Sequence, residues 1–538
     1  MESTNLPKPS ATGFRCSLLS TGWVMLAGAV ALLPLSVPVS GQVGPQAEDQ
    51  PQVVELTMEN MVALTMASSF RVRRLNYDIE RERLDLKAEE AGLKSSVNLE
   101  LVTPSFRLTS EPKWNSTIQR NEIIQEHTRR WEGELSIRQP VILFGWPTNG
   151  YLSINSRVYQ YTQFEDDGSH DTDYYNRYYI SYSQPLFQPN GLKNRLESAE
   201  LDLESTLIEY NGDILRIVSG VSEVYHDLLE EDYLGKVRQT LVSQLERTLA
   251  TGEALARSDS TRVVEIDQIQ VELANARERL RSQESSIRLE FAEVKQELGL
   301  NDTDSIAFVP TFQLDPVPID MEEAVRFAFD LTPTLRQFDI GLRRQEMGLE
   351  WTKSRGALRI DLNMSYGRER RDEYFRNLWQ DPENSYTINV TASLPLWDWG
   401  ERKARVSAAE IGIEQTRLFL EETELRIVSD VRNEVLNVRD REGRTMAMLN
   451  NLELAGNVSE ANLQRYEAGE ITAQEVILSL LREADTGENF IETYVNWKES
   501  LRRLQVQTYY NFEQDRPFLD VLREEGWVPE NGIGGVRP

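Results

Sequence analysis

The stretch LRIVS at Leu215–Ser219 returns at Leu425–Ser429, 210 residues further on. At the same offset Pro185 and Leu186 fall on Pro395 and Leu396, and Glu200, Glu204, Thr206, Val221, Glu265 and Ala274 fall on Glu410, Glu414, Thr416, Val431, Glu475 and Ala484. A second offset, 263, aligns Met58, Glu59, Val62 and Arg73 with Met321, Glu322, Val325 and Arg336. A chain of 538 residues could hold several unlike domains, but a repeat this long requires one architecture built twice.

Each repeat opens with a segment rich in helix formers, Leu56–Leu93 and Ile319–Leu358, with Thr57 and Asp320 at the capping positions. The period then changes. Ile360, Leu362, Met364 and Tyr366 alternate with polar residues, as do Tyr386, Ile388, Val390, Ala392 and Leu394, which predicts two-faced strands. Their counterparts in repeat one are Val97–Val102 and Asn176–Gln184. Between those counterparts stand two more alternating runs, Trp131–Arg138 and Tyr151–Tyr161, joined across FGWPTNG, which read as an added β-hairpin.

Both repeats end in long charged helices. Leu207, Ile214, Val221 and Leu228 occupy a positions, and Leu203, Tyr210, Ile217 and Val224 d positions, of an unbroken heptad. A helix over 192–250 would reach on the order of 85 Å, followed by a break near TGEALARSDSTR and a return helix to about Leu298. Repeat two gives the same hairpin over 401–456 and 472–508.

The N-terminus stands apart. Lys8 and Arg15 precede an apolar run from Leu18 to Leu35 and then VPVSGQ, the pattern of a secretory signal peptide cleaved near Gly41. The one cysteine, Cys16, lies within it, so disulfides, thiolate catalysis and cysteine metal sites are not expected in the mature chain. His127, His170 and His226 lack metal-ligand spacing, no cofactor motif occurs, and the net charge of −29 argues against a nucleic-acid partner. The chain does not read as an enzyme: among 87 acidic residues no carboxylate pair stands out as a glycosidase pair would.

In lipid every backbone polar group needs a partner, so strands cross a bilayer only in a closed barrel. Four strands, or six with the added hairpin, are too few to close one, so several chains would share it. Aromatics cluster around the strands as interfacial girdles do, with Tyr178 and Tyr182 near one strand and Tyr386, Trp397 and Trp399 near another. A soluble β-sandwich with an aromatic core, or a periplasmic coiled-coil envelope protein without channel activity, would use parts of the same pattern.

The order helix, strand pair, QPLF or LPLWDWG, long helical hairpin, all repeated, resembles the TolC-type outer-membrane efflux proteins over about Val53 to Thr508. The sharpest local likeness is YEAGEITAQEVIL, Tyr466–Leu478, similar to that family's hairpin-tip motif. The resemblance implies a mainly α fold with a membrane β-barrel portion: duplicated helical hairpins form a periplasmic tunnel, and the strands of a homotrimer share one outer-membrane barrel. It further implies an outer-membrane lipid environment, a periplasmic adaptor at the hairpin tips, an inner-membrane pump beyond it, and no cofactor.

Carried over by position, the resemblance puts Tyr466, Gly469 and Thr472, with Asp259 and Arg262 opposite them in repeat one, at adaptor-contacting tips, and Glu265 and Glu475 at the aperture. Thr472 and Glu475 also spell a helix capping box, compatible with an aperture role. Ile471 and Leu478 stand where some members carry gating charges, so that polar lock is not expected in kind. The expected division is signal peptide 1–41, linker 42–52, first helix 53–96, strands with inserted hairpin 97–187, helical hairpin 188–298, linker 299–318, first helix 319–358, strands 359–397, helical hairpin 398–510 and flexible tail 511–538.

Overall fold

The computed structural model describes residues 53–526 apart from 116–118, 165–168, 258–261, 299 and 301–304. The signal peptide, the first linker, Asp259 and the last twelve residues of the tail therefore lie outside the described residues.

Each opening segment is two helices rather than the single one expected. In repeat one α1 (Met58–Ser68) and α2 (Phe70–Gly92) meet at Ser69, whose extended backbone ends α1 while its hydroxyl accepts from Arg71 N and starts α2. In repeat two α3 (Met321–Leu331) and α4 (Thr334–Arg355) meet at Thr332-Pro333. Proline drives the residue before it out of the helical region, and Thr332 has ψ 124°. The expected caps form: Thr57 Oγ1 accepts from Asn60 N at 3.2 Å and Asp320 Oδ1 from Glu323 N at 2.9 Å. Just before α1, strand β1 (Val53–Leu56) pairs in parallel with β2 (Ser305–Phe308), tying the start of repeat one to the link between repeats.

Four long helices follow from the heptad pattern: α5 (Gly191–Ala256) and α6 (Val263–Glu297) in repeat one, α7 (Glu401–Glu467) and α8 (Ala473–Thr508) in repeat two. At 66 residues α5 is about 100 Å long. It ends at Ala256, within the stretch where the break is expected, and carries Gly252 inside its last turns, buried where α7 crosses: a Cβ there would come within 2.9 Å of the Tyr466 hydroxyl and 3.2 Å of Ile269. The α5 stripe is buried at Tyr210, Ile214, Ile217, Val221 and Leu228, against Met61, Val62, Val72 and Ile79 of α1 and α2.

The remaining strands form one antiparallel sheet in the order β3 (Ser96–Asn115), β4 (Arg120–Leu143), β5 (Trp146–Phe164), β6 (His170–Leu186), β7 (Arg359–Asp372), β8 (Glu383–Ser393). The inserted hairpin, β4 and β5, is built into the middle of this sheet. Phe144 and Gly145 both take left-handed conformations, φ 52° and 84°, giving the turn a two-residue hairpin requires. The strands run beyond the alternating stretches read from the sequence, and β4, expected over Trp131–Arg138, has 24 residues.

The tail expected to be flexible is a correction. Tyr509, left-handed at φ 54°, ends α8; β9 (Tyr510–Asn511) pairs with β10 (Arg516–Pro517), and α9 (Phe518–Glu524) buries Phe518 and Leu522 in the α5 core. Lys498 Nζ, itself buried, meets Glu513 Oε1 at 2.9 Å. A polar composition concealed two apolar anchors and a buried ion pair.

Candidate functional site

The first site is the sheet. Strict alternation sends one set of side chains to each face, and the register aligns them into rows. One row reads Val97, Ile137, Ile154, Ile180, Tyr366, Tyr386 across all six strands. Leu99, Leu101, Leu135, Leu152, Tyr178, Met364, Ile388 and Val390 share that face, and all are exposed. The opposite face is polar: a row reads Glu100, Glu134, Arg157, Arg177, Glu369, Glu383. Arg157 donates to Glu134 at 2.6 Å and pairs with Glu132 at 3.0 Å; the Tyr179 hydroxyl donates to Glu134 at 3.3 Å and the Tyr175 hydroxyl to Glu369 at 2.5 Å. Gly367 faces Tyr179 on this side, where a Cβ would meet Tyr179 Cβ and Tyr178 O at 2.4 Å.

In water such a sheet would be upside down, with its apolar face bare and its charges internally paired. Its two outer strands, β3 and β8, each keep one edge without a partner strand among the described residues. Among those residues no helix is long and apolar enough to cross a membrane.

The aromatic expectations divide. Tyr178, Tyr182 and Tyr386 lie on the apolar face, and Trp397 and Trp399 stand beyond its helix-proximal end, 75% and 89% exposed, with their rings edge to face. The sequence reading missed Phe144, Trp146 and Phe187 at that same end, all strongly exposed. Their signal was present in FGWPTNG and QPLF, where turn residues drew attention away from the rings.

The second site is the pair of helical-hairpin tips, which the structure joins. Tyr466 is fully buried, packed with Leu245, Ile269 and Leu273 of the first hairpin. Its hydroxyl donates to Glu265 Oε2 at 3.5 Å, and burial together with that carboxylate pushes its pKa up to about 12. Arg262 pairs with the same carboxylate at 3.8 Å and donates to Gly469 O at 3.2 Å. Gly469 occupies the left-handed position, φ 78°, that closes α7.

Glu265, Arg262, Tyr466 and Gly469 are thus brought together. Thr472 and Glu475 are apart from them and engage each other: the Thr472 backbone N–H donates to Glu475 Oε2 at 3.0 Å, completing the capping box of α8. Gly252, which admits Tyr466, and Arg247, which holds Glu467 at 2.7 Å, were not foreseen, since their partners are more than 200 positions away.

Residues 331–506 match the family model described as outer membrane efflux protein. That match spans about a third of the chain and agrees with the resemblance to the TolC-type outer-membrane efflux proteins. No curated protein sequence matches this chain. Among solved structures it is similar to CusC, from crystal structures of conformational changes accompanying folding and transmembrane channel formation, at 11% identity and TM-score 0.61, over 87% of this chain and 95% of that one. It is also similar to the Campylobacter jejuni CmeC outer membrane channel, 11% identical at TM-score 0.61 over 90% and 95% of the two chains. The open state of the Neisseria gonorrhoeae MtrE outer membrane channel is 12% identical at TM-score 0.59, over 84% and 88%. At these identities the likeness is one of fold: long helical hairpins and a sheet.

Proposed function

We propose that three copies of this efflux protein close into one tube, a barrel in the outer membrane continued by a helical tunnel in the periplasm. Substrates then leave the cell without chemical change. The observation that carries this reading is the sheet, apolar on the face left bare, polar on the other, and unpartnered at both edges. Closing it with copies of itself pairs both edges, turns the apolar face to lipid and the charged face to a water-filled lumen.

The helices support the same closure. In the half nearest the sheet α2 packs on α5, α5 touches α4 and α4 packs on α7, so α2 and α7 are outermost. Each bares a heptad stripe, Phe70, Tyr77 and Leu84 on α2 and Ile411, Leu418 and Leu425 on α7. α2 leads into β3 and β8 leads into α7, so each open strand edge continues into a bare helix stripe. A head-to-tail ring buries all four. A soluble coiled-coil envelope protein would leave the apolar sheet face in water.

The tips, by this reading, form the aperture and meet a periplasmic adaptor, itself attached to an inner-membrane pump. The adaptor would touch the surface around Thr472 and Arg262, with Asp259 close by in sequence; Tyr466 and Gly469 would act there by holding the tip in shape. Glu265 and Glu475 would give the mouth a cation preference that weakens with salt. The test is the mass and heat-modifiability of the protein extracted from outer membranes in mild detergent, with single-channel conductance after reconstitution. A heat-modifiable trimer with discrete conductance is expected; a water-soluble, non-conducting monomer would end the proposal. Unchanged ion selectivity in the double variant Glu265→Gln, Glu475→Gln would remove the aperture role alone.

A further inference from the structure

The chain leaves α9 at the mouth of a groove of about 630 Å³ between α1 and α2. The two walls meet at Ser69, the joint between those helices. On α1, Ala63, Met66 and Ala67 stand at i, i+3 and i+4 and so share one face. Two of the three are alanines, too small to fill the space beside α2. Val72 and Ile79 of α2 and Tyr210 of α5 give the groove an apolar floor, each 5% exposed or less.

Gly526 both lines this groove and closes α9. It takes the left-handed conformation, φ 75°, and its N–H donates to Arg523 O at 3.0 Å. That is the glycine position of a Schellman ending, in which the residue after the glycine packs against the one five positions before it. Here the residue after is Trp527 and the one five back is Leu522, 1% exposed and in the same apolar cluster as Val72, Ile79 and Tyr210. Consecutive Cα atoms are about 3.8 Å apart, so the largest side chain of the last twelve residues starts at the mouth of the groove. Helix ending and cavity point to the same place for different reasons.

We propose that Trp527, with Val528 and Pro529 behind it, seats in this groove of its own chain, so that the C-terminal segment straps α1 to α2 across Ser69. An indole hides on the order of 200 Å² of surface when buried, and the alanine wall leaves room for it. Asn76 and Arg83, at the rim, offer an acceptor for the indole N–H and donors for the carbonyl groups of the segment. Pro529 holds Val528 extended, which carries the chain along the groove instead of into another helical turn.

The strap acts on the angle between the two helices. α2 turns Val72, Asn76, Ile79 and Arg83 toward the groove and bares Phe70, Tyr77 and Leu84 on another face. A segment seated on the first stripe fixes the tilt and rotation at which the second is presented. The strap forms within one chain, whether or not copies assemble.

Three measurements on the full-length protein in mild detergent test it. The first isolates the Trp527 emission as the difference between the wild type and Trp527→Phe. A blue-shifted emission, quenched by acrylamide at least fivefold less than free tryptophan amide, is expected; emission and quenching like those of the free amide overturn the proposal. The second locates the segment. The one native cysteine, Cys16, precedes the expected cleavage site, so cysteines introduced by Ala67→Cys and Val528→Cys are joined with a short bismaleimide in a mixture of isotope-labelled and unlabelled copies. Peptide mass spectrometry is expected to show a link within one chain; no link, or links only between copies, overturns the proposal. In the third, Trp527→Ala should raise hydrogen exchange at least tenfold in peptides on both sides of Ser69, and Trp527→Phe should restore most of the protection. Exchange over 58–92 that is the same in Trp527→Ala as in the wild type would overturn the strap even if the indole is buried.

Discussion

The two repeats match closely in their helices and differ by a factor of two in their strands. α5 and α7 have 66 and 67 residues, α6 and α8 have 35 and 36, yet repeat one supplies four strands of the large sheet and repeat two supplies two. The difference follows from packing. Side-by-side helices must span the same distance with their apolar stripes in phase, and one extra residue turns every later side chain by about 100°. An antiparallel sheet accepts a whole hairpin, because two strands restore both the direction and the face of those that follow.

The tips show the same contrast in small. At the 210 offset Tyr466 faces Ala256 and Thr472 faces Arg262, so repeat two carries the ring and the cap that repeat one lacks. α6 accordingly begins at Arg262 without a side-chain cap, while α8 begins with a capping box. One tip is built to insert and the other to receive.

The largest effect should come from breaking the phase. Deleting one residue from α7 near Asn451 would rotate Leu463 and Tyr466 off their partners on the first hairpin, and no heat-modifiable oligomer is expected on a denaturing gel. Adding two residues at the Phe144-Gly145 turn should leave the oligomer intact.

Next in size, Tyr466→Ala would give tip two the residue of tip one and empty a fully buried site. A loss of about 3–5 kcal/mol is expected by denaturant unfolding, with raised hydrogen exchange confined to residues around 252–269 and 466–477. Tyr466→Phe keeps the packing and removes only the bond to Glu265, so its loss should be about 1 kcal/mol.

Asp227 sharpens the comparison through charge, because repeat two has Asn437 at the equivalent position. Burial, then Glu499, Glu223 and other nearby carboxylates, push Asp227 up to about 6. A carboxyl raised on folding binds its proton more tightly in the folded state, so stability falls as pH rises from about 4 to 6 and the cost is full above that window. Asp227→Asn should therefore stabilise the protein above pH 6, by at most about 2 kcal/mol after solvent screening and visible as a raised thermal midpoint, and do little below pH 4.

The smallest expected change is Thr472→Ala, which removes the α8 cap at a cost of about 1 kcal/mol. Arg262→Thr would not restore symmetry, since it would also remove the bond to Gly469 O that joins the tips.

Much of this was legible because it is periodic. The heptads of α5 and the alternation of Ile360–Tyr366 and Tyr386–Leu394 repeat a local geometry, so each residue reports its own face. What escaped was set by contacts distant in the chain. The close approach of α7 at Gly252 left no local mark, and 511–538 read as a flexible tail although Phe518 and Leu522 are buried in the α5 core. Glu265 and Glu475 looked equivalent at the 210 offset, yet one holds Tyr466 across the tips and the other caps its own helix.

The amino-acid order alone determined the duplication, which is a match of letters at a fixed offset, and the kinds of element and which face of each is apolar, because these depend on neighbours within two to seven positions. Only the tertiary structure decided that the inserted hairpin lies within the sheet, that the sheet and helix edges left bare lie on matching sides, and that the tips lock together. Each of those is a choice among partners outside the local window, tens of residues apart in the sheet and two hundred at the tips, and local periodicity carries no energy difference between them.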